Sequence, residues 1–225
     1  MRLRVLTYNV HGLRDDGPAL RSLVRDAEPD LVVMQEAPRR LRWRTRCASL
    51  ARDLGLVYAA GGGSALGNLI LTSHRVRVHE TWCLRFPLTP GRHLRGAAFA
   101  RASVGDVPFV VAGSHLSTDA GERPAQAARL AEALAAAGTG PVLLGVDLNE
   151  APGGPAWQAL AAAGLTGPEG GLPPTFPAGQ PRERIDALLA GPDVRVESCR
   201  VLDGPEARRA SDHLPIVADL LLAGC

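Results

Sequence analysis

An aspartate and a histidine stand together near the end of the chain, immediately before a run of apolar residues. They are Asp212 and His213, and residues 216–222 have the composition of a buried strand. A carboxylate beside an imidazole can orient the ring and select its tautomer, which prepares the ring to move a proton or to stabilise charge. By itself, this dyad fits a serine hydrolase as well as other hydrolytic sites.

Other polar side chains recur where predicted strands end. They are Asn9, Glu36, His115, Asp147 and Asn149, with Asp186 inside a further strand. Singly, each is more typical of a turn, a cap or a structural histidine. Together they offer carboxylates for a hard metal ion, amides that hold oxygen atoms and histidines that move protons. The chain has no Gly-x-Ser-x-Gly elbow, which disfavours the serine hydrolase.

Two kinds of pattern supply the elements that must position these residues: alternating or continuous apolar runs typical of strands, and helical spacing. The predicted strands are residues 2–9, 30–36, 67–73, 76–84, 95–104, 107–115, 141–147, 184–189, 194–202 and 216–222. Helices are predicted from residue 19 and over 39–54, 123–137 and 157–163, a turn over 61–64 and a long loop over 165–182. Many strands and few helices favour two sheets packed face to face with helices outside.

Size and composition exclude several classes of protein. The 225-residue chain has no linker-like segment, so we expect a single domain over residues 1–225. The net charge of +2 gives no whole-molecule argument for nucleic-acid binding, although all 25 basic side chains are arginine, which suits bidentate phosphate contacts. No apolar run reaches the ~18 residues of a membrane span, and the first strand follows no signal peptide. We expect a cytoplasmic protein with free thiols at Cys47, Cys83, Cys199 and Cys225.

Seven short blocks, in order along nearly the whole chain, resemble the endonuclease/exonuclease/phosphatase superfamily. They are Thr7-Tyr8-Asn9, Gln35-Glu36-Ala37, Gly67-Asn68-Leu69, Ser114-His115-Leu116, Gly145-Val146-Asp147-Leu148-Asn149, Arg184-Ile185-Asp186 and Ser211-Asp212-His213-Leu214-Pro215. The resemblance implies an α/β fold, a four-layer sandwich of two mixed β-sheets with helices on both outer sides. It also implies hydrolysis of a phosphate ester that depends on Mg²⁺, with Mn²⁺ as the alternative ion.

The resemblance further implies which residues form the metal site. Glu36 would be the main protein ligand, since a single carboxylate with waters and substrate phosphate is the usual way a protein holds Mg²⁺. Asn9 would lie beside the ion and touch a metal-bound water or a phosphate oxygen. Asp212 would assist catalysis and either bind the ion or support the residues around it.

The remaining catalytic roles follow from the same resemblance. Asp147 would orient or deprotonate the attacking water. His213, held by Asp186, would contact the scissile phosphate either as a general base or as a cationic stabiliser. Asn149 and His115 would donate hydrogen bonds to phosphate oxygens as charge develops on them.

A few further residues are candidates for setting specificity. Arg95 resembles an arginine that is common near the active-site cleft of this family, and Asn68 belongs to the Gly-Asn block. Both are candidate phosphate ligands, and Asn68 is equally consistent with a structural role. The arginine-rich segment 39–46 favours a solvated helix face, with a phosphate-backbone patch as the alternative. Arg184 is predicted to share a strand face with Asp186.

Three functions remain open at this point. The leading one is a nuclease-like phosphodiesterase that acts as a monomer on a phosphoester substrate, with nucleic acid among the substrate classes. A phosphatase or phospholipase C-type activity on an inositol or sphingolipid headgroup is the second. A catalytically silent phosphate-binding module is the third, and the intact set of polar residues argues against it.

Overall fold

The computed structural model describes residues 1–168 and 171–223, which fold into two sheets with helices against their outer faces. The strands are β1 (Arg2–Asn9), β2 (Leu31–Gln35), β3 (Val57–Gly62), β4 (Asn68–Thr72), β5 (Val76–Arg85), β6 (Gly96–Val104), β7 (Val107–His115), β8 (Val142–Asp147), β9 (Asp186–Ala190), β10 (Val194–Val201) and β11 (Ile216–Leu222). The helices are α1 (Gly17–Ala27), α2 (Trp43–Asp53), α3 (Arg123–Ala136), α4 (Pro155–Ala162) and α5 (Pro205–Ala210), with a 3₁₀ turn at His11–Leu13. The predicted two-sheet α/β architecture is confirmed.

The first sheet has the order β10-β11-β1-β2-β4-β3. Its central strands β1 and β2 are parallel, with Asn9 opposite Gln35. Parallel strands end at the same edge of a sheet, so Asn9 and Glu36, which follows Gln35, leave this sheet side by side.

The second sheet has the order β5-β6-β7-β8-β9. Strands β7 and β8 are parallel and pair His115 with Asp147, while β8 and β9 are antiparallel and pair Asp147 with Asp186. Three of the predicted site residues therefore lie in one row across three neighbouring strands.

Apolar residues fill three spaces between the four layers. One cluster, which includes Leu3, Val33 and Val111, lies between the two sheets. A second joins the outer face of the second sheet to α3 and α4, and a third joins the first sheet to α1 and α2. The core is thus continuous from helix layer to helix layer, with the sheet–sheet interface at its centre.

Two glycines allow the sheets to approach closely near the candidate site. A Cβ atom at Gly145 would lie 2.7 Å from Thr7 Oγ1 and 2.8 Å from Val33 Cβ, and one at Gly113 would lie 2.5 Å from Val33 Cγ1. Gln35 crosses the same interface, donating from Nε2 to Thr7 Oγ1 at 3.2 Å and to the Gly145 carbonyl at 3.4 Å. These contacts fix how the two strand edges face each other.

The helix predicted over 39–54 is shorter in the structure and begins at Trp43. Arg42 adopts a left-handed conformation (φ 58°), and the preceding segment is held away from a helix by the bond from Ala37 N to the Gly67 carbonyl. The predicted turn at 61–64 is also wrong in part, since Gly61 and Gly62 belong to β3. Their missing side chains allow this pairing, because a Cβ atom at Gly61 would lie 2.1 Å from Asn68 O.

Two further differences concern the end of the chain. The helix α5 was not predicted, because its six residues are too few to show helical periodicity. The strand predicted over 184–189 begins at Asp186, so Arg184 lies just before β9, although both residues line one cavity.

The cysteines and helices bear on the remaining predictions. Cys47, Cys83 and Cys199 carry free thiols, while Cys225 lies outside the described residues. Within residues 1–168 and 171–223, no helix has the length and hydropathy needed to cross a membrane.

Candidate active site

The polar ends of the two sheets meet at one edge of the sandwich. Asn9 Nδ2 from the first sheet donates to Asp147 Oδ2 of the second at 2.8 Å and lies 3.4 Å from His213 Nε2. Ser211 Oγ donates to the Asn9 carbonyl at 2.7 Å, which ties the segment carrying Asp212 and His213 to the end of β1. Residues from both sheets and from the chain end thereby form one cluster.

His213 is held by Asp186, which is distant in sequence. The two atoms Nδ1 and Oδ2 lie 2.8 Å apart, and both side chains are buried. The Phe176 ring packs against the imidazole with ring centroids 4.8 Å apart, and the backbone of residue 175 accepts a bond from Leu214 N at 2.8 Å. The loop containing Phe176 therefore closes one side of the histidine.

The surroundings of His213 favour its charged form. Burial opposes the charge, but the charge of Asp186, its hydrogen bond to the ring, and the charges of Asp147 and Asp212 outweigh burial and raise the pKa to about 9. The ring is therefore protonated at neutral pH, and its Nε2 atom lies 3.9 Å from Asp147 Oδ2.

Asp147 is the centre of the cluster, with a side chain only 1% exposed. Its Oδ1 accepts a bond from Asn149 N at 2.9 Å, while Oδ2 accepts from Asn9 and lies 3.3 Å from His115 Nε2. A carboxylate fixed from both sides in this way is well placed to orient a water or to take a proton from it.

His115 and Asn149 form a second oriented pair. Asn149 Nδ2 lies 2.9 Å from His115 Nε2 and also donates to the Leu116 carbonyl at 3.0 Å. Burial lowers the pKa of His115 to about 3, against the charge of Asp147, so the ring is neutral at pH 7. With Nε2 accepting from Asn149, the ring proton sits on Nδ1, the nitrogen that faces Glu36.

The amide of Asn149 positions the His115 ring. Both of its hydrogens are directed at His115 and Leu116. The hydrogen bond from Asn149 to a phosphate oxygen stays a prediction.

Glu36 presents free carboxylate oxygens beside this cluster. Its side chain is 37% exposed, the described part of the chain offers it no hydrogen bond, and His115 Nδ1 lies 4.0 Å from Oε1. Asp212, 38% exposed, receives a weak bond from Ser211 Oγ at 3.4 Å and lies 3.7 Å from His11 Nε2. Hard oxygen ligands that are accessible and only lightly bonded fit a divalent cation such as Mg²⁺ or Mn²⁺.

A second group of ligand-type atoms lies deeper. Asp147, Asp186 and His213 offer three atoms within 4.8 Å of one another, and all three side chains are buried. Their contacts to each other and to Asn9 already use most of these atoms, which makes them less suited to a cation than Glu36 and Asp212. The buried group is better described as a hydrogen-bonded His213–Asp186 pair with the carboxylate of Asp147 beside it.

The two other predicted phosphate ligands, Arg95 and Asn68, lie outside this cluster and have different surroundings. Arg95 lines a cavity of about 410 Å³ together with Glu36 and His115, and burial lowers its pKa although Asp147 and Glu36 oppose the shift. Asn68 is 1% exposed and donates to the carbonyls of Ala65 and Gly96 at 2.8 and 2.9 Å. Both of its hydrogens brace the backbone, which favours the structural alternative, and the phosphate contact of Asn68 stays a prediction.

One pair near the site was not singled out from the sequence. Glu150 accepts from Arg123 Nε at 3.2 Å and from Ala156 N at 2.7 Å, and Arg123 also donates to the Thr118 carbonyl at 2.9 Å. The pair therefore joins the loops that follow His115 and Asn149 to the starts of α3 and α4. The adjacency of Glu150 to Asn149 was the available signal.

The sequence model of the Endonuclease/Exonuclease/phosphatase family matches residues 6–213, and the chain belongs to this family. The resemblance seen in the seven blocks is thereby confirmed. Among curated proteins no significant sequence match was found.

Solved structures share the whole fold at low identity. The mannosyl-6-phosphatase of Bacteroides thetaiotaomicron VPI-5482 has a TM-score of 0.81 at 18% identity, over 98% of this chain and 100% of the other. A family protein of Beutenbergia cavernae DSM 12333 has a TM-score of 0.77 at 25% identity, over 99% and 72%. D. rerio TDP2 in complex with a single-strand DNA product has a TM-score of 0.78 at 17% identity, over 98% and 99%.

Proposed function

We propose that the protein is a phosphodiesterase of nuclease-like activity that depends on Mg²⁺ or Mn²⁺. The observation that carries the proposal is the buried His213–Asp186 pair, which lies beside Asp147 and Asn9 at the edge that also presents Glu36. We also propose that residues 1–225 act as one domain and that the protein is a monomer.

The metal ion, held by Glu36 with Asp212 and the side-chain oxygen Oδ1 of Asn9, would polarise the phosphate and neutralise charge that develops on it. The fit rests on the chemistry of these oxygen donors and on the open carboxylate of Glu36. The remaining work falls to groups of the protein itself.

His213 supplies a positive charge rather than a base in this proposal. Its raised pKa keeps Nε2 protonated at neutral pH, and Asp186 prevents the ring from turning. The protonated ring donates to a phosphate oxygen and stabilises negative charge as the attacking bond forms.

Asp147 and His115 act on the attacking water and on a further phosphate oxygen. The Asp147 carboxylate, held by Asn9 and Asn149, orients the water and accepts its proton. The neutral His115 ring donates from Nδ1, while Asn149 fixes the ring through Nε2. The water oxygen forms a bond to phosphorus, and the ester P–O bond breaks. The products are a phosphomonoester and the free alcohol.

Hydrolysis of bis(p-nitrophenyl) phosphate tests this function. We expect p-nitrophenol release with Mg²⁺ or Mn²⁺ and its loss in excess EDTA, because the accessible carboxylates need a cation to engage phosphate. Full activity in EDTA would contradict the metal-dependent mechanism, and absence of turnover with retained phosphate binding would support the silent module.

A lipid headgroup is the second candidate substrate, and one observation favours it. Leu41, 87% exposed, and Leu88 and Leu94 project from two loops whose neighbouring arginines Arg40 and Arg95 line the cavity beside Glu36. Exposed leucines next to arginines suit a lipid surface. Assays on sphingomyelin and phosphatidylinositol vesicles, beside DNA and RNA oligonucleotides, distinguish the two candidates.

A further inference from the structure

The cavity beside Glu36 has an unusual concentration of positive charge. Five arginines line it, from three separate segments of the chain, and we call them the arginine groove: Arg14, Arg39, Arg40, Arg46 and Arg95. Glu36 is the only carboxylate among the described residues that line this cavity. The groove is therefore strongly positive and opens directly onto the candidate metal site.

The side chains of the groove are not neutralised by the protein. In the part of the chain that the structure describes, none of the five takes part in an ion pair, and Arg39 donates only to the Leu66 carbonyl, at 3.3 Å. Arg95 Nε is buried without a hydrogen-bond partner. Arginine stays protonated at any physiological pH, so a bound anion would offset this repulsion more strongly than solvent does.

A second cavity of about 410 Å³, at the other end of β1, is lined by arginines whose charge is neutralised by the protein. Each of these arginines has a carboxylate within reach: Arg2 lies 2.9 Å from Glu197, Arg4 2.7 Å from Asp219 and Arg75 2.8 Å from Asp30. Among the described residues, the five arginines of the groove lack such carboxylate partners, and outside the groove only single unpaired arginines, Arg184 and Arg21, line two of the other cavities.

The groove also differs from the charged helix face favoured by the sequence. Arg39 and Arg40 precede α2, and Arg42 and Arg44 of the same segment do not line the cavity. Arg14 comes from the loop before α1, and Arg95 from the residue before β6. Convergence of separate segments on one cavity is the pattern of a binding site, because solvation alone requires no convergence.

We propose that the arginine groove binds a second phosphate group of the substrate, next to the phosphate that is hydrolysed. The inference rests on the proposed phosphoesterase function and makes it more specific: the preferred substrate carries at least two phosphates, as an oligonucleotide or a bisphosphorylated small molecule does. The guanidinium groups bind phosphate oxygens through paired, charge-assisted hydrogen bonds.

The test is a triple variant, Arg14→Gln/Arg40→Gln/Arg46→Gln, which leaves the catalytic cluster, Arg39 and Arg95 in place. For single-stranded tetrathymidylate we expect KM to rise at least ~10-fold and the salt dependence of KM to weaken, since fewer phosphate contacts release fewer counterions. Bis(p-nitrophenyl) phosphate has one phosphate and therefore does not need the groove. For this substrate we expect kcat/KM to change by less than about threefold, clearly less than the ~10-fold rise in KM for tetrathymidylate.

The matched control removes the same charge elsewhere. Arg42→Gln/Arg77→Gln/Arg129→Gln alters three exposed arginines that do not line the cavity. The inference is overturned if this control raises KM as much as the groove variant does, or if the groove variant affects both substrates equally.

Two further measurements identify the source of the second phosphate and separate this inference from the proposed function. The small-molecule arm compares hydrolysis of inositol 1,4-bisphosphate with that of inositol 1-phosphate, and the tetrathymidylate assay is the nucleic-acid arm. The inference is supported if, in either arm, wild type prefers the substrate with more phosphates and the groove variant loses this preference. Binding of fluorescein-labelled tetrathymidylate in EDTA requires no turnover. If wild type hydrolyses nothing, the proposed function fails, whereas equal binding by wild type and the groove variant overturns the groove.

Discussion

Two candidate residues, Glu36 and Asn149, and also His11 beside Asp212, have backbone conformations that residues other than glycine rarely adopt. His11, Glu36 and Asn149 have φ values of 43°, 55° and 52°. Left-handed backbone at such residues stores strain, and strain of this kind is concentrated at functional sites. The fold holds Glu36 and Asn149 in this state through the strand ends that precede them, which is why their side chains point to one edge.

The contact between His213 and Asp186 leads to a prediction at the scale of a single residue. In Asp186→Asn, we expect the pKa of His213 to fall well below about 9, because burial then acts with less opposition. NMR titration of the ring in EDTA measures this. The matched Asp193→Asn change, at an exposed aspartate, should leave the value near 9.

The same pair gives the sign of its effect on stability. The folded pKa is raised, so the pair contributes stability that is fully present below the ordinary pKa of 6.5 and is lost as pH rises through about 9. Asp186→Asn should remove this loss between pH 6.5 and 9 from the unfolding curves. An unchanged titration in the variant would show that Asp186 does not hold the ring.

At the scale of elements, most of the candidate site follows from which strands are neighbours. The sequence shows polar residues at the ends of predicted strands. These residues converge because β1 and β2, and likewise β7 and β8, are parallel and end at the same edge. The structure added what strand patterns do not encode. Asn68 resembles a site residue in its block, yet its amide is used by two carbonyls, and the start of α2 depends on a contact between residues 37 and 67.

The close approach of the sheets gives a prediction at this scale. Gly145→Ala should lower the free energy of unfolding by ~1–3 kcal/mol, because the new Cβ would overlap Thr7 Oγ1 and Val33 and force the sheets apart. Urea denaturation measures the change.

Gly179→Ala is the matched control, since nothing lies within 4 Å of a Cβ atom at that position. We expect it to change stability little, as is usual for open surface positions. Equal stability of wild type and Gly145→Ala would mean that the sheet interface is looser than these distances indicate.

At the scale of the whole molecule, the net charge of +2 conceals an uneven distribution. One cavity balances its arginines with carboxylates, while the groove beside Glu36 does not. Composition could not reveal this, because the groove is assembled from segments far apart in sequence. The family and the layered fold, by contrast, were predictable, since short blocks in the correct order carry that information over nearly the whole chain.

The central claim is that the edge where the two sheets meet is a phosphoesterase active site. The most direct test compares rates of bis(p-nitrophenyl) phosphate hydrolysis by wild type, Glu36→Ala and His213→Ala, with His74→Ala, at an exposed histidine, as control. We predict a loss of at least ~100-fold in each of the first two variants, with the melting temperature showing that they remain folded, and no loss in the control. Near wild-type rates in Glu36→Ala and His213→Ala would contradict the claim and place the chemistry elsewhere.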